Sequence, residues 1–401
     1  MNRITVVGGG PGGEDGLTME ARRALDGADA VYAAQRYAHL VPPEKLRPLP
    51  PVGEAVREME RSLVEGRKTA VLVSGDAGFY SLLARLREEL GPDKLHVIPG
   101  VSSVQALCAR LCTGWEEAAM LSAHGRELSS SRLCHAVRTH ARTFVLLDAA
   151  HGVPWLRGAL RDGGLCAARL SVGCDLGGAR EAVLSEPEGE VPQPALALIE
   201  NGAPEAGLPP AGIPDGDFVR GRTPMTKREI RVQALSMLRL APDAVVWDIG
   251  AGTGSVSVEC ARQCPDGLVC AVERDQEALS LIRENVRRFF LQNVQVTEGT
   301  APEALCCLPA PTHAFIGGSG GRLREVLDAL EAVPSPVRVC AAAVTLESAA
   351  ALQGRMKTYD GFEAVLLSVS RLEAAGSATL PRPQSPVYLF SGTTKGRREE
   401  R

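Results

Sequence analysis

The sequence carries little excess charge, with 44 Lys and Arg against 48 Asp and Glu and a formal net charge of −4. That balance argues against a general polyanion binder, so no nucleic acid and no membrane surface is expected as a partner. Any anionic ligand must be met by local patches. No apolar run reaches the roughly 18 residues of a membrane-spanning helix. Neither a basic leader nor a small-residue cleavage site precedes the first β-rich run at Ile4, so a cytoplasmic chain is expected. Among the eleven cysteines there is no C-x-x-C pair, which favours reduced core thiols over disulfides. Cys108 and Cys112 stand one helical turn apart, but no His or second Cys pair completes a ligand set, so no metal is expected. No short-period repeat is present.

What the chain does have is length and glycine. Its 401 residues exceed the size at which one core stops growing, so two domains, or three smaller lobes, are expected. β-rich runs at 4–7, 30–32 and 69–73 alternate with helical ones at 18–25 and 53–65, the βαβ rhythm of a largely parallel sheet. A second lobe is expected from about Ala118, with strands at 119–122, 143–147, 169–174 and 195–200 and a cleft between the lobes. The first domain therefore spans 1–200. Residues 201–222 are rich in Gly and Pro, follow neither hydrophobic period, and read as an interdomain linker.

Thr226 followed by Glu229 reads as a capping box ahead of the stripe Ile230, Ala234, Met237 and Leu238, opening a second domain at 223–393. There the order is strand (244–249), glycine turn, helix, strand (268–272), helix (276–290), and strands at 294–296, 313–316 and 337–344. A closing β-rich pair at 364–372 and 387–390 completes a doubly wound sheet, and 394–401 form a charged tail.

The second domain's glycine turn is Asp248-Ile249-Gly250-Ala251-Gly252-Thr253-Gly254-Ser255. A dinucleotide fingerprint requires a sixth-position glycine where Ser255 stands, so the pyrophosphate pattern fails. The next strand runs into Glu273, an acid placed to accept hydrogen bonds from both hydroxyls of a ribose. Ribose without a pyrophosphate cradle points to S-adenosylmethionine. Alternatively, Glu273 is a helix-start acid and Asp248 a cap on the turn. With Met225-Thr226-Lys227-Arg228-Glu229-Ile230-Arg231, Glu298-Gly299-Thr300-Ala301-Pro302-Glu303-Ala304-Leu305 and Phe315-Ile316-Gly317-Gly318-Ser319-Gly320-Gly321, this domain resembles the decarboxylating precorrin C15-methyltransferases of the cobalamin pathway. The resemblance implies a Rossmann-like α/β methyltransferase fold. It also implies donor contact by Thr226, Gly250, Ala251, Gly252, Thr253, Gly254, Glu273 and Ala301, with room for a flat macrocycle at Gly317, Gly318 and Ser319.

The N-terminal loop, Gly8, Gly10 and Gly13, satisfies G-x-G-x-x-G after a strand, but no acid closes the second strand at Ala30-Val31-Tyr32. With Ser74-Gly75-Asp76-Ala77-Gly78-Phe79-Tyr80-Ser81, Pro99-Gly100-Val101-Ser102-Ser103-Val104-Gln105 and Ser122-Ala123-His124-Gly125-Arg126, residues 3 to about 200 resemble the C5-methyltransferase branch of the tetrapyrrole methylases. That implies a two-lobed α/β fold with donor contact at Gly10, Pro11, Gly75, Asp76, Ser102 and Ser103. Two departures stand out: Ala77 replaces the branch's usual proline, and Gly13 precedes Glu14 and Asp15 where the branch has an acid directly after the loop. His124 is a candidate base or a residue fixing local structure.

Together the resemblances imply a bifunctional enzyme with one S-adenosylmethionine site per domain and no resident metal. Its substrate would be precorrin-6B or the cobalt counterpart, methylated at C15 with loss of CO2 from the C12 acetate and then at C5, to precorrin-8X. The alternatives are methylation of another tetrapyrrole, or one active half beside a donor-binding regulatory half. The substrate's carboxylates suit cations, and Arg222, Lys227, Arg228 and Arg231 cluster at the start of the second domain, with Arg228 and Arg231 as expected anchors and a solvated helix face as the alternative for most of the four. Thr226, Asp248 and His124 are the candidates for a catalytic group, and association into a homo-oligomer is the family tendency.

Overall fold

A computed structural model describes residues 3–125, 127–205 and 211–396. Arg126 of the expected C5 signature, residues 206–210 of the expected linker and 397–401 of the expected tail lie outside the described residues. The chain divides into two compact units, Met1–Leu128 with Ala136–Arg161 and Leu165–Pro204, and Glu205–Arg401 with Ser129–His135 and Asp162–Gly164. No helix among the described residues is long and apolar enough to cross a membrane.

The first lobe of unit one comprises β1 (Ile4–Gly8), α1 (Met19–Gly27), β2 (Ala30–Ala33), β3 (Leu46–Pro48), α2 (Val52–Val64), β4 (Thr69–Val73), α3 (Leu83–Leu90), β5 (Leu95–Ile98) and α4 (Ser103–Leu111). Its sheet is parallel in the order β3-β2-β4-β1-β5. β4 is buried along its whole length because both faces are covered: Ile4, Val6 and Val71 pack on one side, Val7, Val31 and Leu72 on the other. Caps fix the helix starts. The Thr18 hydroxyl accepts from the Ala21 N–H (3.1 Å), and Ser102 with Gln105 forms a reciprocal capping box on α4. α4 leaves Cys108 buried but ends at Cys112 in a left-handed turn that is exposed, so the two thiols share no site.

The chain continues through β6 (Ala119–Ser122), α5 (Ser130–Thr139), β7 (Arg142–Leu146), α6 (Val153–Asp162), β8 (Arg169–Cys174), β9 (Ala182–Ser185) and β10 (Ala195–Glu200). These strands form a mixed sheet, β6-β7-β10-β8-β9.

Unit two runs α7 (Arg228–Leu238), β11 (Val245–Ile249), α8 (Ser255–Gln263), β12 (Leu268–Glu273), α9 (Gln276–Arg288), β13 (Val294–Glu298), β14 (His313–Ile316), α10 (Leu323–Glu331), β15 (Arg338–Ala343), α11 (Leu346–Met356), β16 (Asp360–Leu367), β17 (Ser370–Ala375), β18 (Ala378–Pro383) and β19 (Val387–Thr393). The sheet order is β13-β12-β11-β14-β15-β19-β16, with β19 antiparallel to both neighbours. The chain winds outward from β11 to β13 and returns to β14 on the other side of β11, so the topological switch lies between β11 and β14.

Three expectations are corrected here. The run 364–372 is not one strand, because β16 leaves its partner β19 after Leu367 and the chain continues into a separate β17–β18 ribbon. Thr226 and Glu229 form no capping box: the N-cap of α7 is Lys227 without a side-chain bond, and the Glu229 carboxylate is taken by Arg371. The expected linker is divided, with 201–204 in unit one and 211–222 built into unit two, where Ile213 and Phe218 are buried with Met225 and Val258.

Candidate functional site

Loops leaving the strands on either side of a switch point diverge and open a crevice at the carboxyl ends of a doubly wound sheet. Here they follow β11 and β14, and both are glycine-rich. A cavity of about 270 Å³ lies between them, lined by Gly250, Gly252, Gly317, Gly318, Ser319 and Gly320. Glu273, Arg274, Gly299, Thr300 and Ala301 complete one wall, and Thr223 and Pro224 another. Gly250 has φ +72°, and a Cβ there would lie 2.8 Å from the Gly318 nitrogen, so only glycine lets the two loops meet this closely. On the cavity side, a Cβ on Gly252 would lie 3.2 Å from the Pro224 carbonyl oxygen, and one on Gly318 would meet nothing within 4 Å. Ala251 and Thr253 are buried members of the loop, and neither they nor Gly254 line the cavity.

Glu273 ends β12, the neighbour of β11. Its Oε2 accepts from the Gly252 N–H (2.9 Å) and its Oε1 from the Arg274 and Asp275 N–H groups (2.8 and 3.1 Å), holding the carboxylate in one orientation in the wall. Asp248 lies under the loop and not in the lining. Its Oδ2 accepts from the Ser257 hydroxyl, while Oδ1 has no partner among the described residues. Burial, with a smaller push from the Glu273 charge, raises this carboxyl to about 7 against the hydrogen bonds from Ser257.

The expected anchors stand elsewhere. Arg231 is fully buried, with four of its five guanidinium N–H donors bonded to Asp215, Glu259 and the Thr226 and Ile213 carbonyls, so it presents no surface to a substrate carboxylate. Arg228 is exposed and outside the cavity lining, as is half-buried Thr226. The cation that does line the cavity is Arg274, which sequence reasoning missed together with Thr223 and Pro224. For Arg231 a signal existed. It stands at i, i+3, i+4 and i+7 with Ala234, Leu235 and Leu238, on the buried face of α7.

In unit one, three loops leave the carboxyl ends of the adjacent strands β1, β4 and β5. A Cβ on Gly8 would lie 2.6 Å from the Gly100 nitrogen, so the first and third loops touch through backbone alone. Gly10 and Gly75 exchange backbone hydrogen bonds (3.1 and 2.9 Å) across the first and second. Asp76 joins the second to the third: Oδ2 accepts from the Gly100 N–H (3.0 Å), Oδ1 from the Gly78 N–H (2.8 Å). Ser102 and Ser103 follow at the start of α4. Pro11 packs on Gly177, where a Cβ would lie 2.9 Å from its Cγ, so the first loop abuts the second lobe. Ala77 is buried in the first-lobe core, and His124 occupies an exposed turn after β6. No group of three or more His, Cys, Asp or Glu is arranged to hold a metal among the described residues.

Residues 3–192 match the model of the tetrapyrrole (corrin/porphyrin) methylases, and 217–394 that of the precorrin methyltransferase domain. A Sinorhizobium protein named precorrin-6Y C(5,15)-methyltransferase [decarboxylating] is 32% identical over 97% of this chain and 96% of its own length. A Mycobacterium tuberculosis protein of the same name is 30% identical over 98% of this chain and 100% of its own. A probable cobalt-precorrin-6B C(15)-methyltransferase (decarboxylating) of Sulfolobus acidocaldarius is 38% identical over 46% of this chain and 98% of its own length. The crystal structure of a precorrin-6Y C5,15-methyltransferase from Geobacter metallireducens GS-15 is 35% identical, covering 46% of this chain and 98% of that one at a TM-score of 0.43. With similarity to full-length relatives running through both units, the chain belongs to the family of decarboxylating precorrin-6Y C5,15-methyltransferases.

Proposed function

We propose that the C-terminal half, residues 223–393, methylates C15 of precorrin-6B with loss of CO2 from the C12 acetate, and that the N-terminal half, 1–200, then methylates C5 to give precorrin-8X. The observation that carries this reading is the glycine-walled cavity at the β11/β14 switch, with an oriented acid at the end of the adjacent strand. S-adenosylmethionine, the methyl donor of this family, supplies a methyl group already activated on a sulfonium. The residues present fit it: the Gly250–Gly318 approach leaves backbone rather than side chains at the cavity, and Glu273 is placed to accept from a ribose. Gly250, Gly252 and Ala301 complete the lining of this donor site, with Thr223 and Pro224 added to it, while Ala251, Thr253 and Gly254 shape the loop that presents Gly250 and Gly252. A second donor site in unit one is assigned to Gly10, Pro11, Gly75, Asp76, Ser102 and Ser103.

The protein's work is chiefly alignment, worth up to roughly 7–11 kcal/mol when reacting atoms are held at near-attack distance. Gly317, Gly318 and Ser319 leave a flat ring room beside the donor, and Arg274 is the cation placed to take one of its carboxylates. The methylated ring is electron-poor, so the electron pair of the breaking acetate C–C bond passes into it as CO2 leaves. The same reading has the chain working in the cytoplasm as a homo-oligomer, without nucleic-acid or membrane partners.

The test incubates the pure chain with S-adenosylmethionine and precorrin-6B, or its cobalt form in a parallel arm, and weighs the product. Gain of two methyl groups with loss of one CO2 is expected in one arm. A single methyl, or a retained carboxyl, in both arms sinks the bifunctional reading.

A further inference from the structure

Thr223 and Pro224 wall the cavity from a stretch without regular strand or α-helix, so something outside the cavity must hold that wall in place. The holding points lie along residues 212–226. The Gly212 and Ile213 N–H groups donate to Glu259 on α8 (2.8 and 3.0 Å). Val219 exchanges backbone bonds with the side chain of buried Asn285 on α9, whose amide also donates to the carbonyl of Thr253 in the glycine loop (2.9 Å). Arg222 N–H donates to Glu277 (3.0 Å).

Arg231 closes the arrangement from α7. Its Nε donates to Glu259 (3.0 Å), its Nη1 to Asp215 (2.9 Å) and the Thr226 carbonyl (2.6 Å), and its Nη2 to the Ile213 carbonyl. The Phe218 ring lies 4.7 Å from the guanidinium. A guanidinium taken fully out of water is tolerated when its protons are met, and here acceptors from both ends of the strap, with one from α8, take four of the five. α8 is the helix that the glycine loop opens. Its bond to Arg231 therefore ties the strap and the loop, two walls of one cavity, to a single planar group that lines neither. Outward, the other oxygen of Asp215 accepts from Arg371 of β17 (2.9 Å), which also grips both oxygens of Glu229 (3.1 and 2.7 Å).

We propose that Arg231 is a positioning residue of the C15 donor site: through Asp215, Glu259 and the Ile213 and Thr226 carbonyls it sets the strap bearing Thr223 and Pro224 at its distance from the glycine loop, with Arg371 as outer support. This rests on the reading of the cavity as the donor site.

Arg231→Lys keeps a charge between Asp215 and Glu259, but an ammonium lacks the planar fork that reaches all four acceptors. C15 methylation by the intact chain, at saturating precorrin-6B and well below the unfolding temperature, is expected to show KM for S-adenosylmethionine raised about tenfold, with kcat changed by less than about twofold. C5 methylation of supplied precorrin-7 stays at its wild-type rate. A merely structural role would instead lower the active fraction, and so kcat, at unchanged KM. Should Arg231→Lys not fold, Arg371→Gln at the half-exposed end decides, with an expected rise in KM of about threefold. An unchanged KM in the folded variants overturns the inference. Gly252→Val separates the two claims: if it too leaves KM and C15 turnover unchanged, the cavity is not the donor site, whereas its loss of turnover beside an unchanged KM in the arginine variants overturns positioning alone.

Discussion

In unit one the glycines Gly8, Gly10, Gly75 and Gly100 face one another, knitting three loops together through backbone contacts. In unit two Gly250 meets Gly318 in the same manner, but Gly252 and Gly318 also open onto a cavity. Each arrangement includes a carboxylate holding a glycine N–H, Asp76 with Gly100 and Glu273 with Gly252. The two acids reach their places by different routes, and sheet order is the reason. β12 is the neighbour of β11, so an acid at its end reaches the glycine loop. β2 is not a neighbour of β1, since β4 lies between them, so an acid at the end of β2 would be one strand too far. That accounts for the missing acid after Tyr32. A G-x-G-x-x-G spacing reports a tight turn, and the order of the strands decides what the turn faces.

The largest break in the comparison is expected from Gly252→Val. Its φ of +58° strains any side chain, and the added atoms point at the Pro224 carbonyl, so C15 methylation and CO2 release should fall by about a hundredfold or more, the kcat/KM equivalent of about 2.7 kcal/mol. C5 methylation of supplied precorrin-7 should persist; its loss in a folded variant would mean the sites are not independent.

Asp76→Asn is the mirror test. It removes the charge from the bond to the Gly100 N–H, and about fivefold weaker donor use in C5 methylation is expected, with C15 kinetics untouched, in line with about 1 kcal/mol for a charge-assisted bond made neutral. Unaltered C5 kinetics would show that the second loop does not serve the donor.

A different kind of effect, on stability and not on turnover, belongs to unit two. Asp248, whose folded value of about 7 exceeds the ordinary one, holds its proton in the folded state where the unfolded chain has lost it. Its contribution is complete below about pH 4 and lost as pH rises through about 7. Asp248→Asn removes that decline, so melting of unit two in the variant, relative to the wild type, should improve steadily across the window. A difference that does not vary with pH would contradict the assigned protonation.

Much of this architecture was legible because period and punctuation are local. The strands at 69–73, 119–122, 169–174, 195–200 and 313–316 stand where apolar runs between turn residues put them. The 294–296 and 337–344 runs needed only their ends adjusted, while α10 and α11 were not read from the intervening stretches at all. The glycine loop and Glu273 were readable because strand, turn and next strand end fall within about 25 residues, and the structure brings them to one cavity.

What was not legible depends on distant partners. Residues 211–222 look like a linker because their partners, Glu259, Asn285 and Arg371, lie far along the chain. Arg231 looked like a free cation for the same reason, although its place on the apolar stripe of α7 marked it as buried. The ribbon of β17 and β18 escaped notice because β16 and β17 form one β-rich run whose break after Leu367 is set by pairing to β19.

The central claim is that one chain holds two separate donor sites. Calorimetric titration of S-adenosylmethionine into the intact wild type should give two sites per chain, and into Gly252→Val one. A single site in the wild type, or two in Gly252→Val, would contradict the account.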